Sequence, residues 1–225
     1  MSKNKSRAAI WDVDGTLVDT AELHFQAWQE ICREQGRAFT REDFAATFGQ
    51  RNPEIIRILF GARFRPEEIA ALGDRKEVLY RSAASKGVEL LPGARRLVEE
   101  LHRAGFAQAI GSSAPRANLE LILRLTSIAR FFNAIVSSED TQRGKPDPQV
   151  FLTAAERLGI APAQCVVFED AVAGVQAAHA GGMKCVAVRC VGHHSEASLR
   201  QAGADLVVDT LDQVSITDIA DLLNL

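Results

Sequence analysis

The sequence predicts an α/β protein built on a doubly wound parallel sheet with an all-helical insertion, and three observations predict it. Short, wholly apolar runs recur along the chain. Helical patterns that close on glycine separate them. One long stretch after the first run carries helical patterns alone. Strands buried on both faces read as continuous apolar runs, whereas half-exposed strands alternate. A helix that ends on Gly and hands over to such a run is the βαβ rhythm.

Taken in order, the first run is AAIW at 8–11, which stops at the acidic segment DVDGTLVDT, 12–20. The chain from about 21 to 87 then reads as four helical patterns: TAELHFQAWQEICREQG, REDFAATFG, NPEIIRILFG and PEEIAALGDRKEVLYRSAASKG. In the first, Leu23, Ala27 and Ile31 recur at helical spacing beside Trp28, an apolar stripe on one face. The alternating rhythm resumes after Leu91-Pro92-Gly93. Apolar runs are expected as strands at 106–110, 134–136, 165–168, 185–188 and 205–208. The helical patterns ARRLVEELHRAG, PQVFLTAAERLG and AVAGVQAAHAGG lie among them. The expected architecture is a Rossmann-like core of residues 1–17 and 91–225, interrupted by a helical domain of residues 18–90.

Composition agrees with that division. At roughly 150 residues per domain, 225 residues make about one and a half domains, a core with a smaller insertion. With 47% hydrophobic and 24% charged residues, the chain is outside the disordered, collagenous and low-complexity classes. Lys plus Arg total 26 against 29 Asp plus Glu, so the net charge of −3 offers no bulk attraction to nucleic acid. Cys32, Cys165, Cys185 and Cys190 form no CxxC pair, and Cys165 and Cys185 sit in apolar runs. Free thiols in a reducing compartment are expected. The basic start MSKNKSRAAI has no apolar stretch of signal-peptide length, and no run reaches the ~18 residues of a membrane span. A cytoplasmic monomer acting on a small molecule, without membrane or nucleic-acid partners, is the expectation.

Doubly wound sheets bind ligands beyond the carboxyl ends of their strands. The polar residues that follow the apolar runs are therefore the candidate site. Asp12, Asp14, Gly15 and Thr16 follow the first run, Gly111, Ser112 and Ser113 the second, and Glu169 with Asp170 the fourth. Lys145, in GKPDP, stands just before a helix, and its bond to Pro146 is open to either isomer. Each residue also has a structural alternative. Asp12 and Asp14 fit a turn with Gly15 at positive φ, and Asp170 fits a cap on the following helix. Lys145 fits an exposed surface position. His193 and His194 are adjacent on a loop, where hydrated side chains are expected rather than a metal pair.

Four segments together carry a resemblance to the haloacid dehalogenase superfamily that covers essentially the whole chain: DVDGTLVDT (12–20), IGSSAPRAN (110–118), RGKPDPQVF (143–151) and FEDAVAGVQAAHAGG (168–182). They occur in that family's order and approximate spacing. Within it the sequence is most similar to the β-phosphoglucomutase-like branch of sugar-phosphate phosphatases and mutases. The resemblance implies that residues 18–90 are a cap, hinged near 17–19 and 90–93, that selects the substrate. It also implies a Mg²⁺ site made by Asp12, the main-chain carbonyl of Asp14 and Asp170, with Glu169 a further ligand or a support for one.

The residue types suit that chemistry. Phosphoryl transfer needs a nucleophile, a proton handler and positive charge over the phosphate oxygens. Asp12 is the expected nucleophile, forming an aspartyl-phosphate. Asp14, two residues on, is the expected acid and base. Ser112, with Ser113 its nearest competitor, would donate to the phosphate, and Lys145 would offset the charge of nucleophile and phosphate. Dehalogenation would use Asp12 but needs neither Mg²⁺ nor an aspartate at position 14.

In the cap, TAELHFQAW resembles the β-phosphoglucomutase segment whose histidine handles the substrate hydroxyl, which points to His24; Lys76 in DRKEVLY matches a cap lysine of that branch. A partly buried histidine stacked near Trp28, and a lysine on a solvated helix face, are the structural alternatives. Arg51 and Asn52, in FGQRNPEII, occupy the loop that reads the substrate, with Arg51 a candidate contact to a distal anionic group. Here the chain departs from the mutase pattern: an Arg followed three residues later by Ser is absent, Glu54 standing three after Arg51 and Ile55 three after Asn52. The expected activity is therefore hydrolysis of a small phosphomonoester, with the mutase second and a non-catalytic binding protein a remote third.

Overall fold

The six apolar runs form six parallel strands of a single sheet in a computed structural model that describes residues 7–224. The basic segment 1–6, read above for a signal peptide, lies outside the described residues. The strands are β1 (Ala8–Trp11), β2 (Ala107–Gly111), β3 (Ala134–Val136), β4 (Cys165–Glu169), β5 (Lys184–Val188) and β6 (Leu206–Val208), in the order β3-β2-β1-β4-β5-β6. The chain thus winds outward from β1 in both directions, and the switch point lies between β1 and β4.

Register does the positioning. Trp11 lies opposite Ile110 on one side and Phe168 on the other. The next residue in each strand therefore comes level at one edge: Asp12, Gly111 and Glu169. Continuing backbone bonds hold this edge, from Asp12 N to the Phe168 carbonyl and from Ser112 N to the Val136 carbonyl, both 3.0 Å.

Ten helices surround the sheet among the described residues. Four follow β1: α1 (Ala21–Glu34), α2 (Arg41–Thr47), α3 (Asn52–Phe60) and α4 (Pro66–Ala84). The other six are α5 (Ala94–Arg103), α6 (Arg116–Thr126), α7 (Gln149–Leu158), α8 (Val172–Ala180), α9 (Glu196–Gln201) and α10 (Ile216–Leu222). Alternate residues of β1 face opposite layers. Ala9 and Trp11 pack with Leu97 and Leu101 of α5 and Ile122 of α6; Ala8 and Ile10 pack with Phe151 and Ala154 of α7 and Val175 of α8. Trp11 stacks on Phe168 at 4.0 Å between ring centroids, and its indole N–H donates to buried Gln108 at 3.0 Å. Gln108 in turn donates to the Val98 carbonyl, so this buried polar pair is satisfied.

Helices α1 to α4 enclose an apolar cluster of their own, centred on Phe25, Trp28, Ile31, Phe44 and Ile56. A smaller cluster, Ala27, Tyr80 and Ala84 with Leu121, joins α1 and α4 to α6. The two segments that connect the helical block to the sheet run side by side: Val18 bridges Leu90, and Leu91 N donates to the Leu17 carbonyl at 2.9 Å.

The apolar runs and the strands differ by a residue at the ends of β2, β4, β5 and β6. Helices α6, α9 and α10 stand where the sequence reading assigned no element. In α6 the run Leu119–Leu125 is apolar at five of its seven positions, broken only by Glu120 and Arg124, and it does not close on glycine as the other helical patterns do; α9 and α10 have 6 and 7 residues, too short for a periodicity to develop. No helix among the described residues is long and apolar enough to cross a membrane.

Candidate active site

Asp12 stands at the carboxyl end of β1, buried, and its Oδ1 accepts from Lys145 Nζ at 2.6 Å. The same ammonium donates to Glu169 Oε1 at 2.5 Å. Glu169 Oε2 accepts from the backbone N–H groups of Asp170 and Ala171, both at 2.7 Å, so its carboxylate is fixed from both sides. Lys145 is placed by the turn before α7, where its bond to Pro146 is cis. Asp170 Oδ1 has only a long contact with Thr16 Oγ1, 3.5 Å, and its Oδ2 is buried with no protein partner. It does not cap α8, whose N-cap is Ala171. Gly15, at φ +86°, brings the β1 loop so close to Asp170 that a Cβ there would overlap its carboxylate.

The electrostatics follow from three carboxylates and one ammonium buried together. Burial pushes the Asp12 carboxyl up to about 7; Lys145 opposes this, while Glu169 and Asp14 add to it. Burial, then the charges of Glu169 and Asp12, raise Asp170 well above the carboxylate range. Burial would lower Lys145, but Asp12 and Glu169 outweigh it and hold the ammonium above its ordinary value. Oxygens of Asp12, Glu169 and Asp170 lie within 4.8 Å of one another. An excess of buried negative charge, an unpartnered carboxylate oxygen and an all-oxygen donor set fit a hard divalent cation such as Mg²⁺. Because Glu169 is already engaged by Lys145 and two backbone N–H groups, the oxygens left for such an ion belong to Asp12 and Asp170.

Asp14 faces the other way, toward the helical block. Its Oδ1 accepts from Thr20 Oγ1 at 2.5 Å and from the Tyr80 hydroxyl at 3.2 Å, and His24 Nε2 lies 3.1 Å away. Burial disfavours the anion, but hydrogen bonds from His24 and Thr20 and the charge of Lys76 together hold the carboxyl down to about 2. His24 stacks on Tyr80 with ring centroids 4.1 Å apart, not on Trp28, and its Nδ1 is 2.8 Å from Lys76 Nζ. An ammonium can only donate, so Nδ1 accepts and a neutral His24 carries its proton on Nε2, beside Asp14.

Lys76 is buried rather than solvated, and its second partner is Glu77 Oε1 at 2.9 Å. Glu77 is itself anchored: Asn52 Nδ2 donates to Oε1 at 2.8 Å and Asn118 Nδ2, from α6, to Oε2 at 2.6 Å. Arg81 completes the chain by donating to Asn118 Oδ1 at 2.9 Å.

Between sheet edge and helical block lies one cavity lined by Asp12, Asp14, Ser112, Ser113, His24, Asn52 and Lys76, closed by the apolar walls of Trp28, Phe48 and Ile55. Ser112 is buried, its Oγ accepting from Ala114 N at 3.1 Å, which leaves its own proton to donate. Lys145, Glu169 and Asp170 sit behind Asp12 and not in the lining. Arg51 is set apart: it donates to the carbonyl and hydroxyl of Thr141, its stem against Gly144, and its Nε is buried without a partner. Sequence reasoning missed Glu77, Tyr80, Thr20 and Asn118 as parts of this network, although Thr20 and Asn118 end two of the quoted segments. His193 is half-buried against Phe44 and Phe48, at 5.4 and 5.0 Å between centroids, and not the hydrated loop residue expected. Those two rings give it an apolar surface that the local sequence does not reveal.

Comparison with known proteins gives a consistent picture. The family model described as haloacid dehalogenase-like hydrolase matches residues 9–188. The chain is 37% identical over 209 residues to the β-phosphoglucomutase of Bacillus subtilis, covering 90% of this chain and 88% of that protein. It is 34% identical over 180 residues to the fructose-1-phosphate phosphatase YqaB of Escherichia coli, covering 80% and 95%. It spans only 57% and 21% of the lengths of two Arabidopsis thaliana relatives of similar identity. A crystal structure of β-phosphoglucomutase from Clostridium difficile superimposes with a TM-score of 0.87 at 26% identity, covering 97% of each chain. From the match across most of its length, the chain belongs to the haloacid dehalogenase-like hydrolases.

Proposed function

We propose that this protein is a Mg²⁺-dependent phosphatase that hydrolyses a small phosphomonoester, a sugar phosphate in character, through an aspartyl-phosphate on Asp12. The observation that carries the reading is the junction of Asp12 with Lys145, at 2.6 Å, at the floor of a cavity that Asp14 and Ser112 also line. Nucleophile, proton handler and phosphate donors then share one space.

In this reading the phosphate lies against Ser112 and Ser113. An Asp12 carboxylate oxygen attacks phosphorus, the ester P–O bond breaks, and the departing oxygen takes a proton from Asp14. Water next attacks phosphorus, Asp14 receives its proton, the bond from Asp12 to phosphorus breaks, and inorganic phosphate leaves. Lys145 balances the nucleophile's charge in both halves. Asp14, held by Thr20, Tyr80 and His24, is ionised in this geometry, the state the second half requires; the first requires it to carry a proton, taken from solvent before the substrate is enclosed. Mg²⁺ bound by Asp12 and Asp170, with the Asp14 carbonyl, would draw charge from the phosphate oxygens. Residues 18–90 act as the cap, bringing His24, Asn52 and Lys76 over the substrate.

A sugar phosphomutase is the second reading, favoured by the identity to the Bacillus subtilis protein. The two differ in whether phospho-Asp12 gives its phosphate to water or to sugar. A panel of sugar phosphates assayed for phosphate release tests the choice. Release that needs Mg²⁺ and stops with a chelator is expected. Incubation with β-glucose 1-phosphate and a trace of glucose 1,6-bisphosphate that yields glucose 6-phosphate without free phosphate would replace the phosphatase by the mutase.

A further inference from the structure

We infer that Glu77 determines specificity: by neutralising Lys76 inside the cavity, it confines the site to phosphomonoesters whose far end is uncharged and bears hydroxyls, and excludes those with a second anionic group there. This deepens the phosphatase reading and rests on it only for the identity of the near end, the phosphate.

Among the described lining residues Lys76 is the only lysine or arginine. An anionic far end would need that ammonium, yet it is already committed. It donates to His24 Nδ1 at 2.8 Å and to Glu77 Oε1 at 2.9 Å, with side chains 4% and 6% exposed. Glu77 cannot easily swing away, because Asn52 holds one carboxylate oxygen and Asn118, from the core, holds the other. Burial alone would keep Glu77 neutral, but the charge of Lys76 and the bonds from Asn118 and Lys76 outweigh it and keep the carboxyl below its ordinary range. An incoming carboxylate or second phosphate would meet a carboxylate pinned by two asparagines and one spent cation. Neither Arg51, which bonds to Thr141, nor Lys145, which is held by Asp12 and Glu169, is part of the lining. Hydroxyl groups fare better, since Asn52, Thr47 and Gln50 offer neutral polar atoms beside the apolar walls. A buried wall built for uncharged groups rejects a charged one strongly, because the charge loses water and gains no partner.

The test measures binding to the Asp12→Asn protein, where nothing is consumed, for a matched pair: glucose 6-phosphate and 6-phosphogluconate, which carries a carboxylate at the opposite end. Calorimetry should show the neutral ester bound at least about tenfold more tightly. Adding Glu77→Gln, which keeps the shape but frees the Lys76 charge, should shrink that preference to below about threefold. Glu77→Asp, shorter but charged, should retain it. Equal or tighter binding of the carboxylated ester by the Glu77 form would overturn the inference, whichever cation provides it. So would a Glu77→Gln form that weakens both esters in proportion, the signature of a merely structural role; should that variant not fold, the preference of the Glu77 form decides. Phosphate release by the wild type is scored separately. If the binding preference holds and no ester is hydrolysed, the phosphatase reading fails and the selectivity stands.

Discussion

Lys145 holds the floor of the site together, because it is the one cation between buried Asp12 and Glu169. Removing one partner from a buried charge network costs more than the network contributes intact. Lys145→Ala should therefore destabilise the protein by about 3–5 kcal/mol, read from urea denaturation, besides abolishing activity. Glu77 predicts a pH effect. Its carboxyl is depressed in the fold, against the opposing effect of burial, so its ionised form stabilises above the unfolded pKa, and that share is lost as pH falls through the depressed folded value. The stability of the wild type against denaturation should thus fall below about pH 4.5, and Glu77→Gln should show a shallower acid slope. Asp12 directly follows the apolar run of β1 and the Glu169-Asp170 pair follows that of β4, so their place at one sheet edge is legible in the sequence, with Asp14 two residues beyond Asp12. Glu77 is not: its partners Asn52 and Asn118 are 25 and 41 positions away, and nothing local marks a mid-helix glutamate as buried.

Helix α4 shows the same contrast one level up. Its face toward the core carries Gly73, Lys76, Glu77, Tyr80 and Ala84, a helical stripe in which two charges replace apolar residues. The helix is readable from its pattern; the polar notch in its buried face is readable only once α1 and α6 supply the partners. Strand pairing was more accessible, since wholly apolar runs between helices admit little except a parallel sheet. Helix α8 provides a prediction in which propensity and packing disagree. Replacing Gly174 by Ala should favour a helix by up to ~1 kcal/mol. The new Cβ, however, would overlap the Glu169 carboxylate, which is pinned by Lys145 and two N–H groups. Packing wins, and Gly174→Ala should lower stability by about 1–3 kcal/mol in thermal or chemical melts.

For the molecule as a whole, a length of about one and a half domains suggests a core with an inserted block, and paired segments at Val18 and Leu90 connect the four helices α1 to α4 to the sheet. What length could not give is how the two halves close on each other. That depends on contacts between distant segments: Tyr80 with Asp14, Asn118 with Glu77, Arg51 with Thr141, and His193 with Phe44. A cation that binds the folded acidic cluster must stabilise the whole fold by mass action. Saturating Mg²⁺ at about a hundred times its dissociation constant should add ~2.7 kcal/mol, a rise of roughly 5–10 °C in Tm, and Asp170→Ala should abolish the rise. The central claim is nucleophilic attack by Asp12, and one comparison tests it most directly: p-nitrophenyl phosphate hydrolysis by the wild type and by Asp12→Asn, each shown to be folded by its melting curve. In the variant kcat/KM should fall by about a thousandfold or more. A folded Asp12→Asn protein that retains activity within about tenfold of the wild type would contradict it.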